Sequence, residues 1–422
     1  MMRHIWLASC LILTLAASAQ AQAVDPASDL GQFRTLRGDG MTALDKGDTA
    51  TALDDFAKAQ AILPDSPSIP LLNAQAFLKQ KRKPEAKAAL LDYLKRGNLL
   101  DLTKNTEFNA IWDGDLENQL QANQTVMGDM EGLTALKAFN IVEGLAYVPE
   151  QSQLYLSSIH NGKIIALSPE GARDVIAFRP GVAAYGLGLR DGTLWAATVQ
   201  SRLTEGYDPS KLVNSKIVAF SAADGKVISA VSDPAKKDRE FGHLLLGRDD
   251  LYVADTAHGE VLRLTAYGTE LETLVPEGYM DSPQGLAENA DATALMVADF
   301  TSGLYRVDLT AGSMARLLPP ADGNLLGITS LSRRGNDLIA VQNGLTPNRI
   351  LRLHMSADWT QVEKVEILLR SDKVLSQPTQ GVVAGDEFVF VANSQWANLD
   401  DRGNAKIEDP APAVIGVIKL AP

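Results

Sequence analysis

A chain of 422 residues, of which 45% are hydrophobic, is long enough to bury one large core or two modest ones. Its formal net charge is -13, and the only notable basic cluster runs from Lys79 to Lys83, which excludes nucleic acid and anionic membrane surfaces as favoured partners. The simplest interpretation of the excess acidity is solubility.

The first 23 residues have the pattern of an export signal. Arg3 precedes an apolar run from Ile5 to Ala17, and small residues including Ala21 and Ala23 follow at the spacing of a cleavage site. The run is too short to remain as a membrane span, so we expect no transmembrane segment after cleavage at 1-23. The sequence therefore predicts a periplasmic or secreted protein.

The single cysteine, Cys10, lies inside this apolar run. The segment from Leu7 to Cys10 has the residue types of a lipoprotein signal, which is an alternative to simple cleavage, although almost no apolar segment would precede it. In either case we expect no disulfide, so the fold must depend on its core.

Residues 30-124 show helical spacing. Small, aromatic and terminating residues recur with a period of about 34 residues. In the first frame they are Leu36, Gly40, Ala43, Gly47, Asp48, Ala52, Phe56, Ala59 and Pro64, and in the weaker second frame they are Ala74, Phe77, Lys81, Ala86, Leu90, Tyr93 and Asn98. The pattern resembles tetratricopeptide repeats, which implies paired helices and a groove that binds a peptide or protein partner. The alternative is a helical cap packed against the rest of the chain.

Two such repeats need additional helices to complete their core. We expect Leu99 to Gln121 to supply one or two, because Phe108, Trp112 and Leu116 recur there at helical spacing. Pro64 and Pro67 are expected to end one helix and Pro84 to begin another. Residues from Ala122 to Asp129 are predicted to be a linker.

From residue 131 to 422 one pattern repeats six times. Phe241 to Leu264 is the clearest copy, with three short apolar runs separated by tight turns. Repeats of roughly 40 to 50 residues with several strands each indicate a propeller, here with six blades. The fold class is therefore a small all-alpha region followed by an all-beta six-bladed propeller. The segment from Thr134 to Phe139 is predicted to close the ring as the outermost strand of the last blade.

The residue that precedes the first-strand glycine of each blade should line one mouth of the central channel. These positions are Glu143, Tyr185, Gln284, Leu326 and Gln380, and in the third blade Gly242, with His243 in place of the glycine. Three long loops, Gln200 to Val213, Asn343 to Pro347 and Ser394 to Pro412, should join them on the same face, and the last loop carries Trp396. Long loops on one face of a rigid scaffold commonly bind ligands.

Blade segments such as EGLAYVPEQSQLYLSS from Glu143 and PQGLAENADATALMVADF from Pro283 resemble the SMP-30/gluconolactonase group and its strictosidine synthase-like and NHL-repeat relatives. The resemblance implies a divalent cation, often calcium, at the channel mouth, which polarises a lactone carbonyl and activates water. Glu143 matches the family's glutamate ligand and Gln284 stands where the family has an asparagine. Leu326 stands where the family has an aspartate, and its apolar side chain cannot ligate a cation.

Other candidate residues have two interpretations each. Asp255 and Asp299 could be metal ligands, but their recurring position favours capping of a turn. His160 and His258 are predicted to be solvated turn residues. His243 is the candidate general base or ligand, and the competing interpretation is a histidine hydrogen-bonded at a blade rim. No serine-triad, zinc-protease, nucleotide-loop or haem-attachment motif occurs in the sequence.

Two functions remain open at this point. The first is an exported scaffold that binds a small molecule or peptide at the channel mouth through Tyr185, His243, Gln284, Gln380 and Trp396, while the helices engage a protein partner. The second is a metal-dependent hydrolase of a lactone or related ester, with Glu143 and Gln284 as metal ligands. The missing aspartate favours the first.

Overall fold

The computed structural model describes residues 28–136, 140–233, 238–321, 323–400, 404–406 and 411–421, without the side chains of 132–134. The predicted signal peptide and Cys10 lie outside the described residues. The all-alpha region comes first, and the all-beta region follows it, as the sequence predicts. None of the described helices is both long and apolar enough to cross a membrane.

The helical region contains five α-helices and a short 3-10 helix. They are α1 (Asp29–Lys46), α2 (Thr49–Ile62), α3 (Ser68–Lys79), α4 (Lys83–Lys95), the 3-10 helix (Thr106–Ala110) and α5 (Gly114–Gln124). Asp48 caps α2 by accepting a hydrogen bond from the Thr51 N–H, and Pro84 lies in the first turn of α4. Pro67 does not end α2 but directly precedes α3, whose first residue is Ser68.

Helices α1 and α2 pack so closely that a glycine is required between them. A Cβ atom on Gly40 would lie 2.5 Å from Cε1 of Phe56, whose side chain is completely buried. Phe108, Leu116 and Leu120 from the 3-10 helix and α5 complete the core of the second pair, α3 and α4. The additional helices expected after Leu99 are therefore present.

Helix α5 extends into the segment predicted to be a linker. Asn123 is buried and donates hydrogen bonds to the carbonyl oxygens of Leu94 and Asn98, each at 2.7 Å, which holds the end of α5 against α4. The connection to the next domain therefore starts after Gln124 and not at Ala122.

The strands form six four-stranded antiparallel sheets arranged as propeller blades. Blade 1 contains β2 (Val142–Val148), β3 (Gln153–Ser158), β4 (Lys163–Ser168) and β5 (Gly171–Ala177); blade 2 contains β6 (Val182–Arg190), β7 (Thr193–Gln200), β8 (Lys216–Ser221) and β9 (Val227–Val231); blade 3 contains β10 (Phe241–Leu246), β11 (Leu251–Asp255), β12 (Glu260–Leu264) and β13 (Leu271–Val275). Blade 4 contains β14 (Pro283–Glu288), β15 (Ala294–Asp299), β16 (Gly303–Asp308) and β17 (Met314–Arg316); blade 5 contains β18 (Ile328–Arg334), β19 (Asp337–Gln342), β20 (Arg349–Met355) and β21 (Val362–Arg370); blade 6 contains β22 (Gly381–Ala384), β23 (Glu387–Asn393), β24 (Ala413–Lys419) and β1 (Glu131–Leu136).

Each blade has four strands, whereas the sequence pattern indicated three. The missed strand is the outermost one, such as β5 or β9, and most of its residues are exposed or half-buried. An outer strand pairs on one side only and packs little of its surface, so its sequence lacks the apolar alternation that marks the inner strands.

The sixth blade closes the ring as predicted. Strand β1 pairs with β24, and Thr134, Ala135 and Leu136 lie opposite Ile415, Val414 and Ala413. The first strand of the propeller domain thus completes the last blade, and an edge that would otherwise be unpaired is covered. The predicted end of this strand, Phe139, lies outside the described residues.

The helical region packs directly against the fourth and fifth blades. The Asp65 carboxylate accepts a hydrogen bond from the Leu325 N–H at 2.8 Å, and the Asn324 side chain donates to the Asp65 carbonyl at 2.9 Å. The Leu99 N–H donates to the Thr346 carbonyl at 2.9 Å. Leu326 packs into the apolar core of α1, α2 and α3. The helical region is therefore packed against the propeller as a cap, which is one of the two interpretations that the sequence left open.

We expect alanine at Gly40 to lower the free energy of unfolding by about 1 to 3 kcal/mol, because the added methyl group overpacks the contact with Phe56. Gly38 lies in the same helix with open space around its Cα, so Gly38→Ala should raise the free energy of unfolding by up to about 1 kcal/mol. Urea unfolding of both variants tests the difference. Equal stabilisation by both substitutions would show that α1 and α2 do not pack as described.

Candidate functional site

A bulge at the start of the first strand of each blade determines which side chain points into the channel. In blades 1 to 5 the register shifts at this place, because the first strand has one residue more than its partner between two regular pairs. In blades 2 and 5 one residue faces none, and in blades 1, 3 and 4 two residues face one. Such bulges turn a side chain away from the sheet. The residues at this position are Glu143, Tyr185, Gly242, Gln284 and Thr329, and Gln380 directly precedes β22 in the sixth blade.

The prediction that Leu326 is the fifth member of this set is wrong. In the structure this position is occupied by Thr329. Ile328 pairs with Gln342 and Ser330 with Val341, which leaves Thr329 at the bulge. Leu326 lies three residues earlier in the sequence, in the loop that contacts the helical region, where it is buried. The Leu-Gly pair at Leu326 imitates the start of a blade, but the true start has a serine in place of the glycine.

The channel mouth opens into a cavity of about 940 Å³ that lies between the propeller and the helical region. The five bulge residues and Gln380, together called the mouth residues, line it with His243, Glu240 and Trp396. The helical side is formed by residues that include Tyr93, Asn98, Leu99, Leu100, Asp101, Leu102, Leu120 and Gln124. All the ligand-binding residues predicted from the sequence, Tyr185, His243, Gln284, Gln380 and Trp396, thus line one cavity.

Glu143 and Trp396 form the most specific contact in the cavity. The indole Nε1–H of Trp396 donates to Oε2 of Glu143 at 2.7 Å. Burial raises the pKa of Glu143 to about 7, and the hydrogen bond from Trp396 acts in the opposite direction. The loop that carries Trp396 is held in place because the Gln395 side chain accepts a hydrogen bond from the Asn140 N–H at 2.9 Å. Glu143 therefore changes its protonation state near neutral pH.

Tyr185 stands beside this pair in the next blade. Its hydroxyl group forms a hydrogen bond with Ser201 Oγ at 3.0 Å, and the Gln380 side chain donates to its carbonyl oxygen at 3.2 Å. Burial raises the pKa of the phenol, and the charges of Glu240 and Glu143 raise it further. The phenol is therefore neutral and serves as a hydrogen-bonding group.

Glu240 is a site residue that the sequence analysis missed. It lines the cavity two residues before Gly242, which has no side chain to offer at its own position. Burial raises the pKa of Glu240 to about 7, the nearby charge of Asp255 raises it too, and Arg202 lowers it. The only signal for Glu240 in the sequence was a carboxylate two residues before Gly242, the mouth position that has no side chain.

His243 faces the cavity as predicted, but as a neutral side chain. It is 8% exposed, its Nδ1 has no hydrogen-bond partner, and burial lowers its pKa to about 4. A histidine with such a low pKa is a weak base, although its unpartnered nitrogen can still bind a ligand.

The two aspartates at the ends of second strands cap turns, in agreement with the favoured interpretation. Oδ1 of Asp299 accepts hydrogen bonds from the Thr301 and Ser302 N–H groups, and Oδ1 of Asp255 accepts one from the Ala257 N–H. The prediction that His258 is a solvated turn residue is wrong. Its side chain is only 7% exposed, and its Nδ1 lies 2.9 Å from Oδ2 of Asp255.

The residues at the mouth do not fit a calcium site. Calcium takes six to eight oxygen ligands, several of them carboxylate oxygens. The six mouth residues provide one carboxylate, that of Glu143, which already accepts a hydrogen bond and is only partly ionised at pH 7. Within the part of the chain that the structure describes, no group of three His, Cys, Asp or Glu side chains is placed so that it could hold a metal ion.

No protein-family model and no curated protein matches the chain. Several solved structures are similar to it. Regucalcin, a calcium-binding protein from Agrobacterium tumefaciens strain C58, is 11% identical to it, covers 70% of this chain and 97% of its own, and has a TM-score of 0.50. This likeness confirms at the level of the fold the resemblance seen in the blade motifs.

Two further structures are similar at lower scores. A gluconolactonase from Xanthomonas campestris is 14% identical, covers 71% of this chain and 92% of its own, and has a TM-score of 0.49. The PQQ-bound aldose sugar dehydrogenase from Streptomyces coelicolor is 13% identical, covers 70% of this chain and 99% of its own, and has a TM-score of 0.44.

The raised pKa of Glu143 predicts a particular dependence of stability on pH. Below pH 4.5, the ordinary value, the carboxyl group is protonated in both states. As the pH rises from 4.5 to 7 it ionises only in the unfolded state, so folding stability is lost across this window. Replacement of Glu143 by glutamine removes this loss of stability, because the amide group does not ionise. It has the same shape as the carboxyl group and still offers an oxygen that accepts the hydrogen bond from Trp396.

We therefore expect Glu143→Gln to exceed the parent in free energy of unfolding by about 2 to 3 kcal/mol at pH 8 and by less than about 1 kcal/mol at pH 5. Urea unfolding at the two pH values measures this. Glu150 is an exposed glutamate, and Glu150→Gln should change the free energy of unfolding by less than about 0.5 kcal/mol at both. If the difference in free energy of unfolding between Glu143→Gln and the parent is the same at both pH values, the burial of this carboxyl group is contradicted.

Proposed function

We propose that the cavity between the propeller mouth and the helical region binds a small, uncharged, polar molecule. The observation that carries the proposal is the cavity itself, because about 940 Å³ lies within the range of small-molecule sites and its walls come from two domains. The helical region stands across the mouth, which favours a compact ligand over an extended peptide.

The lining indicates what kind of ligand fits. Tyr185, Gln284, Thr329 and Gln380 supply neutral hydrogen-bonding groups, and Trp396 supplies an aromatic surface. Such a set suits a hydroxylated ring compound, such as a sugar or a lactone, whose polar edge forms hydrogen bonds while its ring contacts an aromatic side chain. An anionic ligand would have no compensating positive charge among the mouth residues.

Hydrolysis of a lactone or related ester is a second candidate function, favoured by the two carboxyl groups, Glu143 and Glu240, whose pKa values lie near neutral pH in one cavity. One carboxylate would take a proton from water as the water oxygen attacks the acyl carbon. The other carboxyl group would give a proton to the alcohol oxygen as the ester C–O bond breaks. Water is added overall, and no step requires a metal.

Export and partner binding belong to the proposal as well. The sequence pattern of residues 1-23 supports a periplasmic or secreted location, which N-terminal sequencing of the protein recovered after export would test. For the TPR-like helices we propose a role as the cap of the cavity, since their contacts with Leu325 and Thr346 support it. A pull-down with the full chain as bait tests whether they also engage a protein.

A panel of neutral sugars, polyols and lactones should include at least one compound that raises the melting temperature of the parent protein and quenches its tryptophan fluorescence. Gly242→Phe should abolish the binding, because it places a large side chain at a mouth position. Gly38→Ala, at an exposed position of α1 that does not line the cavity, is the control and should leave binding unchanged. Binding that survives Gly242→Phe would place the ligand elsewhere.

If the protein is a hydrolase, it should open a lactone without added metal and in the presence of EDTA. Glu143→Gln should then lower kcat by about 100-fold or more while leaving ligand affinity within about threefold, because the amide keeps the shape but cannot exchange a proton. Glu150→Gln is the control. Absence of turnover across the panel would leave only the binding function, and loss of activity in EDTA would contradict the metal-free step.

A further inference from the structure

A second, smaller cavity of about 140 Å³ lies at the junction of the helical region and the fifth blade. It is bounded by the ends of α4 and α5 on one side and by β20 and β21 on the other. Its lining includes Lys95, Arg96, Asn123, Asn324, Arg349 and Arg370. Four of these six side chains are cationic and none is acidic. The volume is enough for four or five water molecules.

Arg349 is the most deeply buried of these cations, with 3% of its surface exposed. Its terminal nitrogens donate to the carbonyl oxygens of Arg96 at 3.0 Å and Gly97 at 2.7 Å, just beyond the end of α4. Its Nε–H has no hydrogen-bond partner. A buried donor without a partner costs about 1 to 3 kcal/mol, so it needs an explanation.

Arg370 repeats this arrangement at the end of α5. It is 9% exposed, it donates to the Ala122 carbonyl at 2.7 Å, and its Nε–H also has no partner. Among the described residues, no carboxylate raises the pKa of either guanidinium group. Helix C-termini offer only about half a negative charge each, so the two positive charges are not fully balanced.

The two guanidinium groups also act on each other. Burial and, to a smaller extent, the positive charge of Arg370 together lower the pKa of Arg349 to about 10, and Tyr93 acts in the opposite direction. Like charges in a buried place are unfavourable unless something of opposite sign lies between them. None of the carboxylates in the described ranges acts on either guanidinium group.

We propose that this cleft binds a small oxyanion of the phosphate or sulfate class between Arg349 and Arg370. Guanidinium groups bind such oxyanions through charge-assisted hydrogen bonds, and the side chains of Arg349 and Arg370 both line the cleft. Because Arg349 and Arg370 belong to the propeller and their carbonyl partners to the helical region, the anion would also strengthen the junction that holds the cap over the large cavity.

The test uses the full chain and inorganic phosphate, with ionic strength held constant by sodium chloride. Titration calorimetry should show saturable binding of phosphate, and the melting temperature should rise by about 2 °C when phosphate exceeds its Kd tenfold. Sulfate should act in the same way, whereas acetate, which is planar and carries one charge, should not.

Arg370→Gln should weaken phosphate binding by at least tenfold. Arg333→Gln removes one positive charge from an exposed position of the same blade and should leave binding unchanged. If Arg370→Gln does not fold, calorimetry on the parent protein still shows whether phosphate binds. No saturable heat with phosphate, equal binding of acetate, or equal affinity in Arg370→Gln would each overturn the site.

Discussion

The carboxylate of Asp65 is buried in the helical region and accepts a hydrogen bond from the Leu325 N–H of the propeller. Burial raises the pKa of this group, so the contact is retained at a cost to stability that the surrounding junction must offset. Together with the bond from Leu99 to Thr346, it fixes the helices across one mouth of the ring. The cavity exists only because this junction is closed.

Enclosure in turn determines the chemistry of the mouth. Removal of water raises the pKa values of Glu143 and Glu240 to about 7, so each carboxyl group is only partly ionised at pH 7. It lowers the pKa of His243 to about 4, so the imidazole is neutral. Neutral groups that can both donate and accept suit an uncharged polar ligand. Two carboxyl groups that titrate near neutral pH can also exchange protons with it. The same burial thus supports both candidate functions.

The sequence was sufficient for the architecture and for most of the mouth, because blade periodicity and the first-strand glycines repeat visibly. It misplaced the fifth blade, since Ser330 replaces the expected glycine and the Leu326–Gly327 pair imitates it. It missed Glu240 and the outer strands of the first five blades, which carry no periodic signal. The junction itself was out of reach, because the partners of Asp65 and Arg349 lie about 250 residues away in the sequence.

Hydrogen exchange at two interdomain amides tests the closed junction most directly. The N–H groups of Leu99 and Leu325 both donate across it, to Thr346 and Asp65 respectively. Because exchange requires a bond to open, both amides should be protected nearly as strongly as those of the central blade strands. Exchange at the rate of exposed loop amides would show that the helices leave the mouth freely, and it would contradict an enclosed cavity.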